Sequence, residues 1–172
     1  YLHSVYPDVH IELHAGELTK QIAGKKDLGF HISDAITTGN ASRIGHGVAI
    51  EEEDGWENTL ELMKEKEIPV EILLTSNEQI LNISGPEHPV SVYLSLDVPV
   101  ILSTDDPGIE YTNLTQEYVI FTLNHPDVSY DEIREMNKNS IRYSFLSDEE
   151  KTDLLSRLEN NLAAFEKEII AS

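Results

Sequence analysis

The stretch PVILSTDDP, residues 99–107, contains a short apolar run that stops abruptly at a group of polar residues. A run this brief, rich in Val, Ile and Leu and bounded by Pro or polar residues, is typical of a strand buried in a parallel sheet. We interpret residues 99–103 as such a strand. Three earlier runs have the same character and are predicted to be strands as well: 9–13, 41–47 and 69–74.

Amphipathic segments lie between and after these strands, with helical spacing of their apolar residues. Gly39 is placed to end the first helix, Pro89 to start the third, and Ser147 with Glu150 forms a capping box before the last. Four strand–helix units in series predict an α/β fold with a parallel sheet, and open doubly wound sheets and (β/α)8 barrels both fit. The predicted helical segments are 30–39, 56–67, 88–97, 114–125, 129–146 and 147–170.

Composition narrows the class of protein. The 172 residues are 40% hydrophobic, which is enough for one core, so residues 1–172 are predicted to form a single domain. Lys and Arg number 12 against 32 Asp and Glu, a net charge of -20, which disfavours nucleic acid as a partner. The chain contains no cysteine, which excludes disulfides and thiolate metal sites, and no apolar run long enough to predict a membrane span. Composition leaves the cellular compartment undetermined.

Polar residues of catalytic type follow the predicted strands. His14 and Glu17 come after the first, His46 ends the second, and Asp105 and Asp106 follow the fourth. The carboxyl ends of parallel strands form the active-site face of α/β folds, so these side chains can converge. Each has a structural alternative when taken singly. His46 could be a hydrogen-bonded core histidine, and either Asp could cap a helix that begins with Pro.

Other polar residues receive simpler interpretations. Glu12 would share a strand face with His14 and would need a partner if that face were enclosed. The acidic run EEED, residues 51–54, is interpreted as a solvated loop, and His88 is assigned no role.

Four motifs occur in an informative order: HAGE at 14–17, RIGHG at 43–47, TSN at 75–77 and STDDP at 103–107. Together they resemble the metal-dependent adenosine deaminase family, whose members are amidohydrolase-like barrels. The resemblance covers essentially the whole chain. It looks closest to the branch that contains the secreted adenosine deaminase growth factors and their bacterial relatives.

The resemblance implies a zinc enzyme that hydrolyses adenosine or 2'-deoxyadenosine to inosine and ammonia. It implies that His14 and Asp105 are zinc ligands, which supply the nitrogen and oxygen donors that zinc accepts. Glu17 would be the acid that protonates a purine ring nitrogen, from a dry, apolar pocket. His46 would orient and deprotonate the attacking water and stabilise charge that develops on it.

The same resemblance implies substrate-binding positions. Asp106 would hydrogen-bond the purine N7, and backbone near Gly16 would shape the pocket. Ser76 and Asn77 are expected to lie behind the residues that touch the substrate and not to touch it themselves.

The chain departs from the family pattern in one respect. Family members carry a His-x-His pair on their first strand, and this sequence contains no such pair. A complete (β/α)8 barrel also needs about 250 residues. We therefore expect this chain to be the C-terminal half of a barrel, with strands five to eight, their helices and additional C-terminal helices. Two further zinc ligands and the rest of the barrel would come from an N-terminal half.

Two other functions stay open from the sequence. The first is a deaminase for another adenine compound, namely adenine, a modified adenosine or an adenine nucleotide. The second is a non-catalytic binding or signalling module on the same fold.

Overall fold

Four parallel strands lie side by side in the order in which they occur along the chain. A computed structural model describes residues 2–171. A doubly wound sheet reverses its strand order at a switch point, whereas this sheet continues in one direction. The predicted α/β class with a parallel sheet is confirmed. The strands are β1 (Glu12–Ala15), β2 (Arg43–His46), β3 (Val70–Ile72) and β4 (Val100–Leu102).

Helices connect the strands and continue after β4. Those predicted from helical spacing are present, and the predicted capping box is formed, since the Glu150 N–H donates to Ser147 Oγ at 3.4 Å and the Ser147 N–H to Glu150 Oε2 at 2.9 Å. None of the described helices is long and apolar enough to cross a membrane. The helices are α1 (Leu2–Val5), α2 (Lys25–Leu28), α3 (His31–Thr37), α4 (Trp56–Glu65), α5 (Leu74–Leu81), α6 (Val90–Ser95), α7 (Pro107–Glu110), α8 (Leu114–Asn124), α9 (Tyr130–Arg142) and α10 (Asp148–Ala171), with 3-10 turns at Ile50–Glu52 and Gly85–Glu87.

The two faces of the sheet differ in polarity. One face packs on the helices and forms the hydrophobic core, because alternate strand residues point the same way. The core unites strand residues Ile44, Val70, Ile72, Val100 and Leu102 with helix residues Leu60, Met63, Tyr93, Phe121 and Met136.

The opposite face carries charged residues. Arg43 Nη2 lies 2.8 Å from Glu71 Oε1, and Glu12 Oε1 lies 3.6 Å from His14 Nε2. Burial raises the pKa of Glu71 against the opposing effect of the Arg43 guanidinium. Glu12 therefore has the polar neighbour that the strand alternation required.

Several element boundaries differ from the sequence prediction. The strand predicted at 69–74 ends at Ile72, and α5 begins at Leu74, where no helix was predicted. The helix predicted at 129–146 ends at Arg142. β1 begins at Glu12 rather than at residue 9, because its strand hydrogen bonds start where Glu12 pairs with Arg43. His14 consequently lies inside the strand and not after it. α3 ends before Thr38, and Gly39 is required instead for a close approach, since a Cβ there would lie 2.6 Å from Leu13 Cδ1. Pro89 is the residue before α6 rather than its first residue.

Two buried glutamate side chains accept hydrogen bonds from backbone N–H groups at the starts of helices that lie elsewhere in the sequence. Glu53 accepts the N–H groups of Ile32 and Ser33 in the first turn of α3, and it is 4% exposed. Glu117 is fully buried and accepts the Thr75 N–H at the start of α5 at 3.1 Å. These amides have no partner inside their own helices, so the carboxylates satisfy them. The interpretation of EEED as a solvated loop is wrong for Glu53.

Candidate active site at the carboxyl ends of the strands

His14, Glu17 and His46 come together at the carboxyl ends of β1 and β2. The rings of His14 and His46 meet edge to face, with centroids 4.7 Å apart. His46 Nε2 lies 3.8 Å from Glu17 Oε2. One ligand atom from each of the three residues lies within 4.8 Å of the others. The convergence expected from the strand ends is thus present for these residues.

The backbone of RIGHG allows His46 to reach this position. His46 is fully buried and has a φ of 71°, which ends the extended conformation of β2. A Cβ at Gly45 would lie 2.7 Å from His14 Cδ2, so glycine permits the approach of that ring. Gly47 has a φ of 63°, and a Cβ there would meet Tyr93 Oη and lie 2.8 Å from Val70 Cγ2.

Asp105 approaches the same histidine from β4. Its Oδ2 lies 3.7 Å from His46 Nε2 and accepts a hydrogen bond from Ser76 Oγ at 2.8 Å. Asp106 occupies the N-cap position of α7, but its side chain makes no capping hydrogen bond and is exposed. Asp106 thus stands at the N-cap position, but capping does not explain why this residue is an Asp, because its carboxylate accepts no N–H of α7.

Gly16 lies at the turn after β1. Its φ of 66° is left-handed, and its carbonyl accepts the Ala49 N–H at 2.8 Å. The turn lines a cavity of ≈ 350 Å³ together with His14, Glu17 and Phe30. A larger cavity of ≈ 410 Å³ beside Pro99 contains none of the expected site residues. The candidate site is therefore identified by the side chains that line the smaller cavity and not by cavity volume.

The site is open to solvent. The side chain of His14 is 56% exposed and that of Glu17 is 33% exposed. The dry pocket expected around Glu17 is therefore not closed by the residues that the structure describes.

The donor set of this cluster suits a divalent cation. His46 Nε2 is buried and has no hydrogen-bond partner among the described residues. Burial lowers the pKa of His46, while the Glu17 and Asp105 carboxylates oppose that effect and His14 adds to it. Imidazole nitrogens and carboxylate oxygens are normal zinc ligands, so the residues present fit the metal that the resemblance implies. Asp105 lies beside this compact group rather than within it.

Two residues behind His46 received no catalytic role from the sequence. Asn77 Nδ2 lies 3.2 Å from His46 Nδ1, and Asn77 Oδ1 lies 3.0 Å from His88 Nε2. His88 Nδ1 accepts the Val90 N–H at 3.2 Å. Asn77 was expected behind the substrate layer, within TSN. Nothing in the sequence links it to His88, which the 3-10 turn at Gly85–Glu87 places beside it.

The protonation of His88 is coupled to folding. Burial lowers the pKa of His88 from 6.5 to about 4, with a smaller contribution in the same direction from His125. The unfolded chain therefore binds the extra proton first as the pH falls. The stabilising effect of a neutral His88 is complete above pH 6.5 and is lost as the pH falls from 6.5 towards 4.

We expect this loss to appear in urea unfolding measured across that pH range. A pKa difference of about 2.5 corresponds to about 3 kcal/mol in the free energy of unfolding. A His88→Gln variant lacks the titrating group, so its deficit against the parent protein is expected to shrink by up to that amount on acidification. Parallel curves for the two proteins would show that His88 keeps an ordinary pKa.

The chain was compared with known proteins by sequence and by structure. Residues 1–161 match the family model described as adenosine deaminase. The chain is 32% identical to an adenosine deaminase of Enterococcus faecalis over 152 residues, 88% of this chain and 41% of that protein. Among solved structures, an Arabidopsis N6-mAMP deaminase superposes with a TM-score of 0.71 and 29% identity, over 92% of this chain and 43% of that one.

A further solved structure shares the fold. A cog1816 amidohydrolase from Burkholderia ambifaria with bound Zn superposes with a TM-score of 0.73 at 17% identity, over 96% of this chain and 44% of that one. The chain spans less than half the length of each of these proteins. Its sequence match over residues 1–161, together with the shared α/β fold, shows that the chain belongs to the adenosine deaminase family.

Proposed function

We propose that this chain is the C-terminal half of a (β/α)8 barrel, with β1 to β4 as strands five to eight and residues 1–172 forming one domain. The uninterrupted strand order and the polar inner face of the sheet support this arrangement. So does the coverage of 41% to 44% of the compared relative and structures. Its partner would be the N-terminal half of the same barrel, which would cover the edges of β1 and β4.

We further propose that the assembled protein is a zinc-dependent deaminase that converts adenosine or 2'-deoxyadenosine to inosine and ammonia. One observation carries this proposal. The buried His46 Nε2 has no hydrogen-bond partner within the part of the chain that the structure describes, and it lies within 3.8 Å of carboxylate oxygens from Glu17 and Asp105. A single water between these groups would be oriented by all three at once. Such an arrangement serves hydrolysis, because it holds the nucleophile in place before the reaction.

His14 and Asp105 would hold the zinc, and the N-terminal half would supply two more ligands. Zinc, when bound, supplies a water of lowered pKa as the nucleophile. Asp105 stays fixed for this task because Ser76 donates to its Oδ2 at 2.8 Å. Two ligands are fewer than the three that catalytic zinc sites normally use, so zinc would bind weakly to this chain by itself.

The remaining residues would act on the purine. Glu17 would protonate the ring nitrogen, and His46 would orient the water. The exposed carboxylate of Asp106 would accept a hydrogen bond at N7, and backbone at Gly16 would border the base. The open side of the pocket would be closed by the N-terminal half, which would also exclude water from Glu17.

An adenine compound other than adenosine is the second candidate substrate. The Arabidopsis neighbour named as an N6-mAMP deaminase favours this alternative, because that protein acts on a modified nucleotide. The net charge of -20 opposes a phosphorylated substrate unless the N-terminal half supplies cations. A binding or signalling module without turnover would not need the convergence of His14, Glu17 and His46.

A substrate comparison tests the proposal. The complete enzyme, meaning this chain joined to its N-terminal half, would be given adenosine, 2'-deoxyadenosine, adenine, AMP and N6-methyl-AMP with zinc. The expected result is the highest kcat/KM for the two nucleosides, measured by release of ammonia. Preference for AMP or N6-methyl-AMP would replace the proposed substrate, and no turnover of any compound would favour the binding module.

A further inference from the structure

The hydrogen bonds behind His46 have a fixed direction, because they begin at a backbone amide. The Val90 N–H can donate and cannot accept, so His88 Nδ1 must be the acceptor at 3.2 Å. A neutral imidazole with an acceptor at Nδ1 carries its proton on Nε2. His88 Nε2–H therefore donates to Asn77 Oδ1, 3.0 Å away. The low pKa of His88 agrees with a neutral ring.

The same reasoning assigns donor and acceptor in the hydrogen bond between Asn77 and His46. Because Asn77 Oδ1 accepts from His88, the Asn77 amide is oriented with Nδ2 towards His46. Nδ2 is a donor, so His46 Nδ1, 3.2 Å away, must accept. Neutral His46 consequently carries its proton on Nε2. Asn77 and His88 are 1% and 2% exposed, so water does not compete for these bonds.

The surroundings of His46 Nε2 favour the same tautomer independently. Two carboxylate oxygens face this atom, from Asp105 at 3.7 Å and Glu17 at 3.8 Å. A lone pair directed at two carboxylates would be repelled, whereas an N–H is attracted. Both distances are too long for a hydrogen bond, which leaves the N–H free to donate to a group between them.

We propose that Asn77 and His88 are positioning residues that hold His46 in the Nε2–H tautomer and direct that N–H at the attacking water. The role of this tautomer in catalysis rests on the proposed hydrolysis. The assignment of the tautomer does not depend on that proposal. In this tautomer Nε2 orients the water as a donor and has no lone pair with which to take its proton. The role of proton acceptor expected for His46 is therefore replaced by that of a hydrogen-bond donor.

Nitrogen-15 NMR of histidine-labelled complete enzyme tests the tautomer directly. The expected spectrum shows a protonated Nε2 and an unprotonated Nδ1 for both His46 and His88. The reverse pattern at His46 in the unmodified protein would overturn the proposal. This measurement needs neither turnover nor a variant, so a failure of the proposed deaminase activity would be seen separately in the substrate assay.

Asn77→Asp tests the direction of the hydrogen bonds. The substitution replaces the Nδ2 donor by an acceptor oxygen of the same shape, so the proton of neutral His46 is expected to move to Nδ1. We expect kcat to fall by about 10–100-fold with little change in KM, as for other residues that orient catalytic groups. An unchanged His46 spectrum in this variant would contradict the proposal.

Asn139→Asp is the matched control. Asn139 is also buried, and its Nδ2 donates to the Val100 carbonyl at 3.2 Å, away from His46. This variant places the same new carboxylate in the interior and is expected to lower stability without changing the His46 spectrum. A reversal of the His46 pattern in both variants would show a general response to buried charge and would refute the role of Asn77.

Discussion

Glu17→Gln in the complete enzyme is expected to lower kcat for adenosine by about 10²–10⁴-fold, the range typical of a lost general acid. Gln keeps the shape of Glu but cannot transfer a proton to the purine ring. Because Glu17 is proposed to act on the base rather than on the metal, the zinc content should stay the same. Steady-state kinetics together with metal analysis of the purified variant measure both quantities.

Glu57→Gln provides the control for this prediction. Glu57 is exposed in α4 and is not one of the residues of the candidate site. Its substitution removes the same charge and is expected to leave kcat and zinc content unchanged. A Glu17→Gln enzyme that keeps more than a tenth of the parent kcat would rule out Glu17 as the acid.

Asp105→Asn is expected to remove zinc as well as activity. The amide can still accept from Ser76 Oγ, so the local structure should persist while the negative ligand is lost. Residues that only orient a metal ligand typically contribute about 10–100-fold in metal affinity. Loss of a direct ligand should exceed that range. Titration of the metal-free enzyme with zinc, followed by a competing chelator, gives the affinity.

The adjacent carboxylate gives a matched comparison. Asp106→Asn is expected to retain zinc and to raise KM, because Asp106 is proposed to contact the purine. The compact group in the structure consists of His14, Glu17 and His46, and Asp105 lies beside it. If Glu17→Gln lost zinc while Asp105→Asn kept it, that compact group would be the metal site and the proposed ligand pair would be wrong.

The strands were accessible from the sequence because buried parallel strands are short apolar runs. The carboxyl-end positions of His46 and Asp105 followed from the same pattern. The exact ends were less accessible, since β1 is defined by pairing with β2 and not by its own apolarity. His14 consequently belongs to the strand that it was expected to follow.

Contacts between distant turns were not accessible from the sequence. Glu53 lies in an acidic run, which usually indicates a solvated loop, yet its carboxylate accepts an N–H group in the first turn of α3. His88 lies 11 residues after Asn77, and neither residue type predicts that a turn would join them. The assignment to the growth-factor branch, which depends on motif spacing, stays a prediction.

Conversion of adenosine to inosine, followed by ultraviolet absorbance with zinc present, tests the central claim most directly. It should be measured for this chain alone and for the chain joined to its N-terminal half. The predicted result is turnover by the joined protein and none by the chain alone. Turnover by the chain alone would contradict the half-barrel proposal, and no turnover by either protein would contradict adenosine deamination.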